Sequence, residues 1–335
     1  MAHPHVNHKE IDVRTSLRSA LALAAAAALT LAACSGGNTG GGDETYSIGI
    51  VQIVSHPSLD AARDGFKDAL AEAGISATYD EQNAQNDQAT ATSIATKFAG
   101  ADLDLVLAIA TPAAQAAVAT ITDVPVLFTA VTDPVEADLV ASDDAPGANV
   151  TGTTDMNPVA EQIALIKRVA PDARSVGIIY SSGEVNSAVQ VELAKEAAAT
   201  EGLEVKETTI ATSNDVLQAA QTLNVDAIYV PTDNNVVSGL DSVIQVAEER
   251  QIPVIVGETE SVAKGGLITF GLDYYELGVQ TGQMAVKILT EGGDPATMPV
   301  ESQKTPRLVI NTTAAERMGI TLPKDLLDEA DEVVE

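Results

Sequence analysis

The most informative chemical pattern in the sequence pairs a hydroxyl-bearing helix start with two later acids. Thr111-Pro112-Ala113 follows a buried aliphatic run and has the pattern of an N-cap with proline in the first helical turn. A hydroxyl, free backbone amides and the positive end of a helix dipole together suit a carboxylate. Asp233 and Glu258 follow later aliphatic runs, and their carboxylates suit an ammonium group. The two halves predict a site for a zwitterion, although simple capping and ordinary solvated acids explain each half alone.

Other polar and aromatic side chains also lie at the ends of apolar runs, where an α/β protein meets its ligand. His56 either hydrogen-bonds a ligand or only holds the loop before Pro57. Tyr180 and Tyr274 stand beside polar turns and are candidates for the wall of a pocket. The complete set of predicted ligand-binding residues is His56, Thr111, Pro112, Ala113, Thr129, Ala130, Thr132, Asp155, Tyr180, Asn186, Thr232, Asp233, Asn234, Glu258, Asp273 and Tyr274.

The sequence gives little support for catalysis. It contains no P-loop, no Gly-x-Gly-x-x-Gly after an apolar run, and no Gly-x-Ser-x-Gly with a histidine partner. Three of the four histidines fall in the first eight residues, which leaves His56 as the only one in the main body. We therefore predict no enzymatic activity, no cofactor and no metal. A carboxylate pair for glycoside hydrolysis remains an open alternative, although nothing in the sequence marks one.

Acidic residues greatly outnumber basic ones. The 335 residues include 48 Asp and Glu against 18 Lys and Arg, a formal net charge of −30. Such a surface repels phosphate backbones and anionic lipid headgroups, so we predict no nucleic-acid partner. Hydrophobic residues make up 45% of the chain, which is enough to bury the cores of two lobes.

Residues 1–33 have the pattern of a secretory signal peptide. Two arginines precede a run of mostly small apolar residues that is too short to span a bilayer comfortably. Residues 31–34 read Leu-Ala-Ala-Cys, which resembles the bacterial lipobox, where the chain is cut before the cysteine and a lipid is attached to its thiol. We predict lipid attachment at Cys34, the only cysteine, and a flexible tether over residues 34–45. An ordinary signal peptide with a coincidental cysteine is the alternative.

The main body alternates short aliphatic runs with helical patterns. Tyr46–Val54, Leu103–Ala110 and Val124–Ala130 have the continuous aliphatic character of buried parallel strands. Leu59–Ala73 carries an apolar stripe at helical spacing and is followed by Gly74 as a C-cap. This alternation predicts the α/β class with doubly wound, Rossmann-like parallel sheets.

The same order of elements recurs in the second half of the chain. Gly74 and Gly202 each end the helix after a strand, and they are separated by 128 residues. Pro125 and Pro253 open later strands and are separated by the same 128 residues. Two landmarks at one offset predict two homologous lobes joined by a hinge. The general likeness of α/β units is the simpler alternative.

We predict that the chain crosses between the lobes three times. The predicted boundaries are 46–153 plus 272–300 for the first lobe and 154–271 plus 301–335 for the second, with crossings near 149–158, 266–275 and 299–308. In this scheme a helix over Tyr274–Thr290 packs on the first lobe, and Arg307–Asn311 returns as a strand to the second.

Several long strings in both lobes carry a resemblance to a known family. They are Gly49–Val54 with His56-Pro57, Ala108–Pro112, Phe128–Pro134, Asn149–Gly152, Tyr229–Asn234 and Gly271–Gly278. Through them the chain resembles bacterial ABC-transporter substrate-binding lipoproteins of the tryptophan/tyrosine-binding type. The resemblance runs from about Tyr46 to Leu327 and therefore covers both lobes.

This resemblance implies a type I periplasmic-binding-protein fold that encloses a solute by hinge closure. Carried over by position, Thr111 and the Thr129–Ala130 turn would hold the carboxylate of an amino acid. Glu258, with Asp233 nearby, would hold the ammonium. Related sequences commonly carry Ser-Asp-Thr-Asp where this chain has Gly257–Glu260, so the longer acid is expected to alter cleft depth and ligand choice.

The expected function is therefore that of a monomeric, lipid-anchored receptor outside the cytoplasm. It would capture an amino acid, with an aromatic one favoured, and deliver it to a membrane permease driven by an ATPase subunit. Within the same fold, a sugar, a nucleoside or a branched-chain amino acid is an alternative ligand. A sensory domain and an extracytoplasmic enzyme are alternatives from other classes, but the sequence shows neither the transmembrane helix of a sensor nor a catalytic constellation.

Overall fold

The computed structural model describes residues 1–2 and 45–335 of the chain. The predicted signal peptide, the lipid site at Cys34 and nearly all of the predicted tether lie outside these described residues. Among the described residues, no helix combines the length and the apolar character needed to cross a bilayer.

The strands of residues 45–335 form two sheets, one of six strands and one of seven. The first contains β1 (Thr45–Gln52), β2 (Ser76–Asn83), β3 (Leu105–Ile109), β4 (Val126–Val131), β5 (Val150–Thr154) and β11 (Glu301–Ser302). The second contains β6 (Ser175–Ser181), β7 (Glu204–Ile210), β8 (Ala227–Val230), β9 (Val254–Val256), β10 (Ile268–Gly271), β12 (Arg307–Asn311) and β13 (Glu332–Val334). Their orders are β11-β5-β4-β3-β1-β2 and β13-β12-β10-β9-β8-β6-β7.

Helices cover both faces of these sheets. The helices up to residue 222 are α1 (Pro57–Glu72), α2 (Gln88–Ala99), α3 (Thr111–Val118), α4 (Val159–Val169), α5 (Val185–Thr200) and α6 (Val216–Thr222). The later ones are α7 (Asn234–Ser238), α8 (Leu240–Arg250), α9 (Thr259–Ala263), α10 (Tyr274–Glu291), α11 (Thr312–Arg317) and α12 (Lys324–Glu329). A short 3₁₀ turn, Ser213–Asp215, precedes α6.

The two sheets share one topology, as the internal repeat predicts. The order β5-β4-β3-β1-β2 in the first sheet matches β10-β9-β8-β6-β7 in the second, and these neighbours pair in parallel. Gly74 follows α1, the helix after β1, and Gly202 follows α5, the helix after β6; their φ values are 74° and 68°, a conformation that glycine adopts without strain. The predicted α/β fold with two Rossmann-like lobes is therefore confirmed.

One strand departs from the parallel pattern. Strand β12 runs antiparallel to β10, with Arg307 opposite Gly271. The reason is the route of the chain: it leaves the second sheet at the end of β10, forms α10 and β11 on the first sheet, and then re-enters the second sheet from the same edge. A strand that starts where β10 ends must run in the opposite direction.

Each lobe has its own apolar core. In the first lobe, Phe66, Phe98 and Phe128 are fully buried among the aliphatic residues of β1, β3 and β4. In the second lobe, the aliphatic residues of β6, β8 and β9 pack around Tyr229. Helix α10 packs along α1, so its buried Met284 belongs to the first core. The carboxyl ends of the strands face the space between the two cores.

Candidate ligand-binding site

Residues at the carboxyl ends of both sheets enclose a small cavity whose free volume is about 10 Å³, room for about one water molecule. This is far below the roughly 300–1,000 Å³ usual for ligand pockets, so the lining is closed in on itself and a solute as large as an amino acid enters only when the lobes part. Loops and helix N-termini converge at this edge of a parallel sheet, which is why ligands bind there. The lining residues are His56, Ser58, Leu59, Ala130, Asp155, Asn186, Thr232, Asn234, Val237, Glu258 and Tyr274.

The cavity brings together residues that are far apart in the sequence. The sequence-predicted residues in its lining are His56, Ala130, Asp155, Asn186, Thr232, Asn234, Glu258 and Tyr274. Sequence reasoning missed Ser58, Leu59 and Val237, although each lies within three positions of a predicted residue. Pro57 marks a helix start soon after a strand, and this signal could have indicated Ser58 and Leu59 as lining residues.

Thr111 does not cap its helix as the sequence predicts. It is the first residue of α3, and the N-cap is Ala110, with φ 79° and ψ 152°. Thr111 is therefore buried with an Oγ1 that has no hydrogen-bond partner among the described residues. The capping prediction is wrong because the sharp backbone turn falls one residue earlier. Thr111 lies outside the cavity lining.

Asp233 is completely buried and also lies outside the lining. Its carboxylate accepts hydrogen bonds from the backbone N–H groups of Ser181 at 2.6 Å and Val236 at 2.9 Å. It also accepts one from the Ser187 hydroxyl at 2.7 Å. These donors satisfy the carboxylate, so Asp233 links β6, α5 and α7. Its neighbours Thr232 and Asn234 line the cavity instead.

Tyr180 and Asp273 also have partners away from the cavity. The Tyr180 hydroxyl donates to Glu207 Oε2 at 3.1 Å, on the outer side of the second sheet. Asp273 caps α10 and forms an ion pair with Arg307 at 3.3 Å. The structure therefore places neither residue beside the cavity.

The remaining predicted residues belong to the first lobe. Thr132 contacts the lining residue Asp155, because its hydroxyl donates to Asp155 Oδ1 at 2.8 Å. Thr129 is buried in β4 and accepts a hydrogen bond from the Thr153 hydroxyl. Ala113 packs in the core, and Pro112 lines a different cavity nearer the edge of the cleft.

Glu258 is the acid that faces the cavity from the second lobe. Its Oε1 accepts a hydrogen bond from the Ser58 hydroxyl at 3.0 Å and another from the Ser261 hydroxyl. Its Oε2 is buried and has no partner among the described residues. Burial, with the negative charge of Asp155, raises the pKa of Glu258 to about 7, against the effect of the two serine hydrogen bonds. The free oxygen is suited to a cationic donor.

Further acids surround this position. Tyr274 donates its hydroxyl to Asp155 Oδ2 and its backbone N–H to Glu260 Oε1, the latter at 2.9 Å. Burial raises the pKa of Asp155, and burial with the charge of Glu258 raises the pKa of Glu260 to about 8. The part of the chain that the structure describes contributes no lysine or arginine to the lining, and His56 is its one histidine there. The electrostatics therefore favour a ligand that brings a positive charge.

Two asparagines supply amide groups on the second-lobe side. Asn186 Nδ2 donates to the Thr232 carbonyl oxygen at 3.0 Å and to Glu184 Oε2 at 3.2 Å. Asn234 Nδ2 donates to the same Glu184 oxygen at 2.6 Å. Burial and the charge of Asp233 raise the pKa of Glu184. Asn186 Oδ1 is buried without a hydrogen-bond partner within residues 45–335.

Helix α1 begins at the cavity with an uncapped first turn. His56 occupies the N-cap position, but its side chain makes no capping hydrogen bond to the described chain. The first-turn residues Ser58 and Leu59 line the cavity, so their amides and the helix dipole are available to a carboxylate. Burial lowers the pKa of His56 to about 4, which leaves the imidazole neutral at pH 7.

Two alanines at neighbouring strand ends have unusual backbone conformations. Ala110 follows β3 with φ 79°, and Ala130 lies near the end of β4 with φ 56°. Non-glycine residues in such conformations cost roughly 1–3 kcal/mol each and concentrate at ligand sites. Ala130 lines the cavity, so the strained turn is part of its wall. The sequence shows no signal for this feature, because alanine gives no sign of a positive φ.

A family model for ABC transporter substrate binding proteins matches residues 47–334. The chain belongs to this family. Its members are binding proteins, not enzymes, and they work outside the cytoplasm as components of ABC transporters. The match confirms the resemblance seen in the sequence, and the paired lobes with a cavity between them are what such a substrate-binding protein requires.

Relatives of this substrate-binding protein include proteins whose ligands are known. A tyrosine-binding protein of Clostridioides difficile is 44% identical over 271 residues, which cover 79% of this chain and 78% of that protein. The structure of an ABC domain from Streptococcus pneumoniae in complex with L-Trp is 39% identical. It has a TM-score of 0.83 and covers 87% of this chain and 100% of that one.

A third relative overlaps less well in structure despite similar sequence identity. The ligand-free, open structure of a substrate-binding protein with adhesive properties from Clostridium difficile is 43% identical, but its TM-score is only 0.65. That comparison covers 86% of this chain and 99% of that one. The L-Trp complex therefore has the lower sequence identity to this chain but the higher TM-score.

Proposed function

We propose that the cavity captures an aromatic amino acid, tyrosine or tryptophan, for delivery to an ABC permease. The observation that carries this proposal is the buried Glu258 Oε2, which lacks a partner among the described residues and faces the uncapped start of α1. An acceptor opposite backbone donors matches the two charged groups of an amino acid. The tyrosine-binding protein and the L-Trp complex support the aromatic class.

Glu258 would bind the ammonium group. A charge-assisted hydrogen bond from N–H to Oε2 replaces the water that this oxygen loses on burial. The ammonium would also offset the mutual repulsion of Glu258 and Asp155, which contributes to the raised pKa of Glu258. Asp233, which the sequence also favoured, has its carboxylate engaged by other donors.

The first turn of α1 would bind the carboxylate. Ser58 and Leu59 of this turn line the cavity, whereas Thr111 and α3 lie outside its lining. This position differs from the one that the sequence favoured, but it uses the same physical principle of a helix N-terminus that binds an anion. The apolar side chains of Leu59 and Val237 would then contact the ring of the ligand.

The cellular part of the proposal depends on residues outside the described part of the chain. We propose that signal peptide cleavage before Cys34 and lipid attachment to its thiol hold a monomer at the membrane. We also propose the two-lobe division, with the predicted boundaries 46–153 plus 272–300 and 154–271 plus 301–335 shifted so that Thr154 and β11 (Glu301–Ser302) stay with the first sheet, in which they pair. Two separate apolar cores, joined by the segments around Asp155, Asp273 and Gln303, support this division.

Binding can be tested directly with the purified protein and a panel of the twenty amino acids, sugars and nucleosides. We expect thermal stabilisation by tyrosine and tryptophan, since a ligand at 100 times its Kd stabilises the folded state by roughly 2.7 kcal/mol. The Glu258→Gln variant should bind these ligands roughly 30-fold more weakly or worse by titration calorimetry, because a charge-assisted bond becomes a neutral one.

Glu207→Gln is the matched control, since Glu207 contacts Tyr180 and lies away from the cavity. It should bind tyrosine as the unmodified protein does. Stabilisation by sugars or nucleosides alone would overturn the amino-acid proposal. Equal affinity of Glu258→Gln and the unmodified protein would show that Glu258 does not hold the ammonium.

A further inference from the structure

We infer that Asn186 selects aromatic amino acids whose side chain carries a hydrogen-bond donor, so that tyrosine and tryptophan bind and phenylalanine is rejected. This inference rests on the proposed function and specifies the ligand class of the same cavity. Its basis is a second buried acceptor in the lining. Asn186 is 3% exposed, and its Oδ1 has no hydrogen-bond partner within the described residues.

The orientation of the Asn186 amide is fixed by its other contacts. Its nitrogen lies 3.0 Å from the Thr232 carbonyl oxygen and 3.2 Å from Glu184 Oε2. The Thr232 carbonyl oxygen can only accept a hydrogen bond, so the atom beside it must be the donor Nδ2. The other end of the amide is therefore an acceptor, Oδ1. A group that satisfies this oxygen has to donate a proton.

The position of Asn186 relative to Glu258 fits the length of an aromatic amino acid. Asn186 lies in the first turn of α5, which follows β6, and Glu258 follows β9. Strand β8 lies between these two strands in the sheet, so their carboxyl ends are about 10 Å apart. With the ammonium on Glu258, the side chain of the ligand must point along this row of strand ends toward Asn186.

Only some side chains of that length end in a donor. The phenol O–H of tyrosine and the indole N–H of tryptophan can each donate to Oδ1. The phenylalanine ring has no such group and would leave the buried amide oxygen unpaired in the closed site. A site that has lost water from an acceptor discriminates strongly against a ligand that cannot replace it. Asn186 is therefore the proposed specificity-determining residue.

The test uses the unmodified full chain and a set of ligands that differ only at the tip of the ring. By titration calorimetry we expect tyrosine to bind at least about tenfold more tightly than phenylalanine and 4-fluorophenylalanine. The fluorinated ring fills similar space but cannot donate. Phenylalanine affinity within about threefold of tyrosine affinity would overturn the inference and leave the proposed function standing. Failure of these three ligands and of tryptophan to bind would overturn both.

Variants separate the role of Asn186 from general effects on the cleft. Asn186→Leu keeps the size of the side chain and removes the acceptor, so the ratio of tyrosine to phenylalanine affinity should fall toward one. Asn235→Ala is the matched control, because Asn235 also donates to Glu184 but lines the other cavity. It should weaken both ligands by the same factor. An unchanged ratio in Asn186→Leu would contradict the assignment, and if that variant does not fold, the ligand series alone decides.

Discussion

Glu258 shows how burial sets the chemistry of the cleft at the scale of single residues. Both carboxylate oxygens are removed from water, but only Oε1 gains protein donors in the described chain, from Ser58 and Ser261. In the protein without ligand a proton compensates, since the raised pKa of about 7 leaves much of Glu258 protonated at neutral pH. An ammonium group competes with that proton. Ligand binding and loss of the Glu258 proton are therefore linked.

This linkage makes the affinity for tyrosine dependent on pH. Below about pH 7 Glu258 is increasingly protonated, and a neutral carboxyl group does not form the charge-assisted bond. We expect Kd to rise by up to about tenfold for each pH unit below 7 and to level off just above it. Calorimetric titrations between about pH 5.5 and 7.5, in buffers of different ionisation enthalpy, measure both the affinity and the protons released.

The other titratable groups that face Glu258 supply the controls. His56 stays neutral over this range because its pKa is lowered to about 4, whereas the pKa values of Asp155 and Glu260 are raised. Glu258→Gln should flatten most of the pH dependence, and Glu260→Gln should retain it. The same steep dependence in Glu258→Gln would assign the proton to a different group and contradict the linkage.

At the scale of elements, the close packing of α1 against α10 positions the starts of these two helices, which both contribute to the cavity lining. A Cβ on Gly278 would lie 2.0 Å from the Ala62 carbonyl oxygen, and one on Gly65 would lie 2.1 Å from the Tyr275 carbonyl oxygen. The two backbones therefore approach more closely than any side chain allows. Helix α1 starts at the uncapped turn of Ser58 and α10 starts at Tyr274, so this contact sets their separation.

We expect Gly278→Ala to lower the free energy of unfolding by roughly 1–3 kcal/mol, because the added methyl group forces the helices apart. Urea denaturation measures this change, and tyrosine affinity should fall with it since Ser58 and Tyr274 move together with their helices. Gly183→Ala is the control, because a Cβ there would meet no atom within 4 Å. Equal stability of the two variants would show that the helix contact is not tight.

The elements were largely predictable from the sequence, and the details of the site were less so. Aliphatic runs and the 128-residue offset indicate the strands and the shared topology, because they depend on local periodicity. The wrong N-cap at Thr111 depends on the backbone of Ala110, which the side-chain types do not reveal. The engagement of Asp233 by Ser181 and Ser187 depends on contacts between elements that lie about 50 residues apart. Asp233 and Glu258 are both buried acids, but they differ in role because different donors surround them.

At the scale of the whole molecule, the two lobes meet across the cleft. Ser58 of the first lobe donates to Glu258 of the second, and Asn86 donates to Asn235 nearer the edge. These contacts agree with the higher TM-score to the L-Trp complex than to the open relative. Closure brings several buried acids together, which costs free energy unless a cation accompanies them. A zwitterion between the lobes supplies that cation and would hold the closed arrangement.

The most direct test of this account is a crystal structure of the protein with L-tyrosine. We expect closed lobes, with the ammonium nitrogen about 3 Å from Glu258 Oε2 and the carboxylate on the first-turn amides of α1. The phenol oxygen should lie beside Asn186 Oδ1. Tyrosine in the second cavity, beside Pro112 and Asn235, or tyrosine with its carboxylate directed at Glu258, would contradict the central claim.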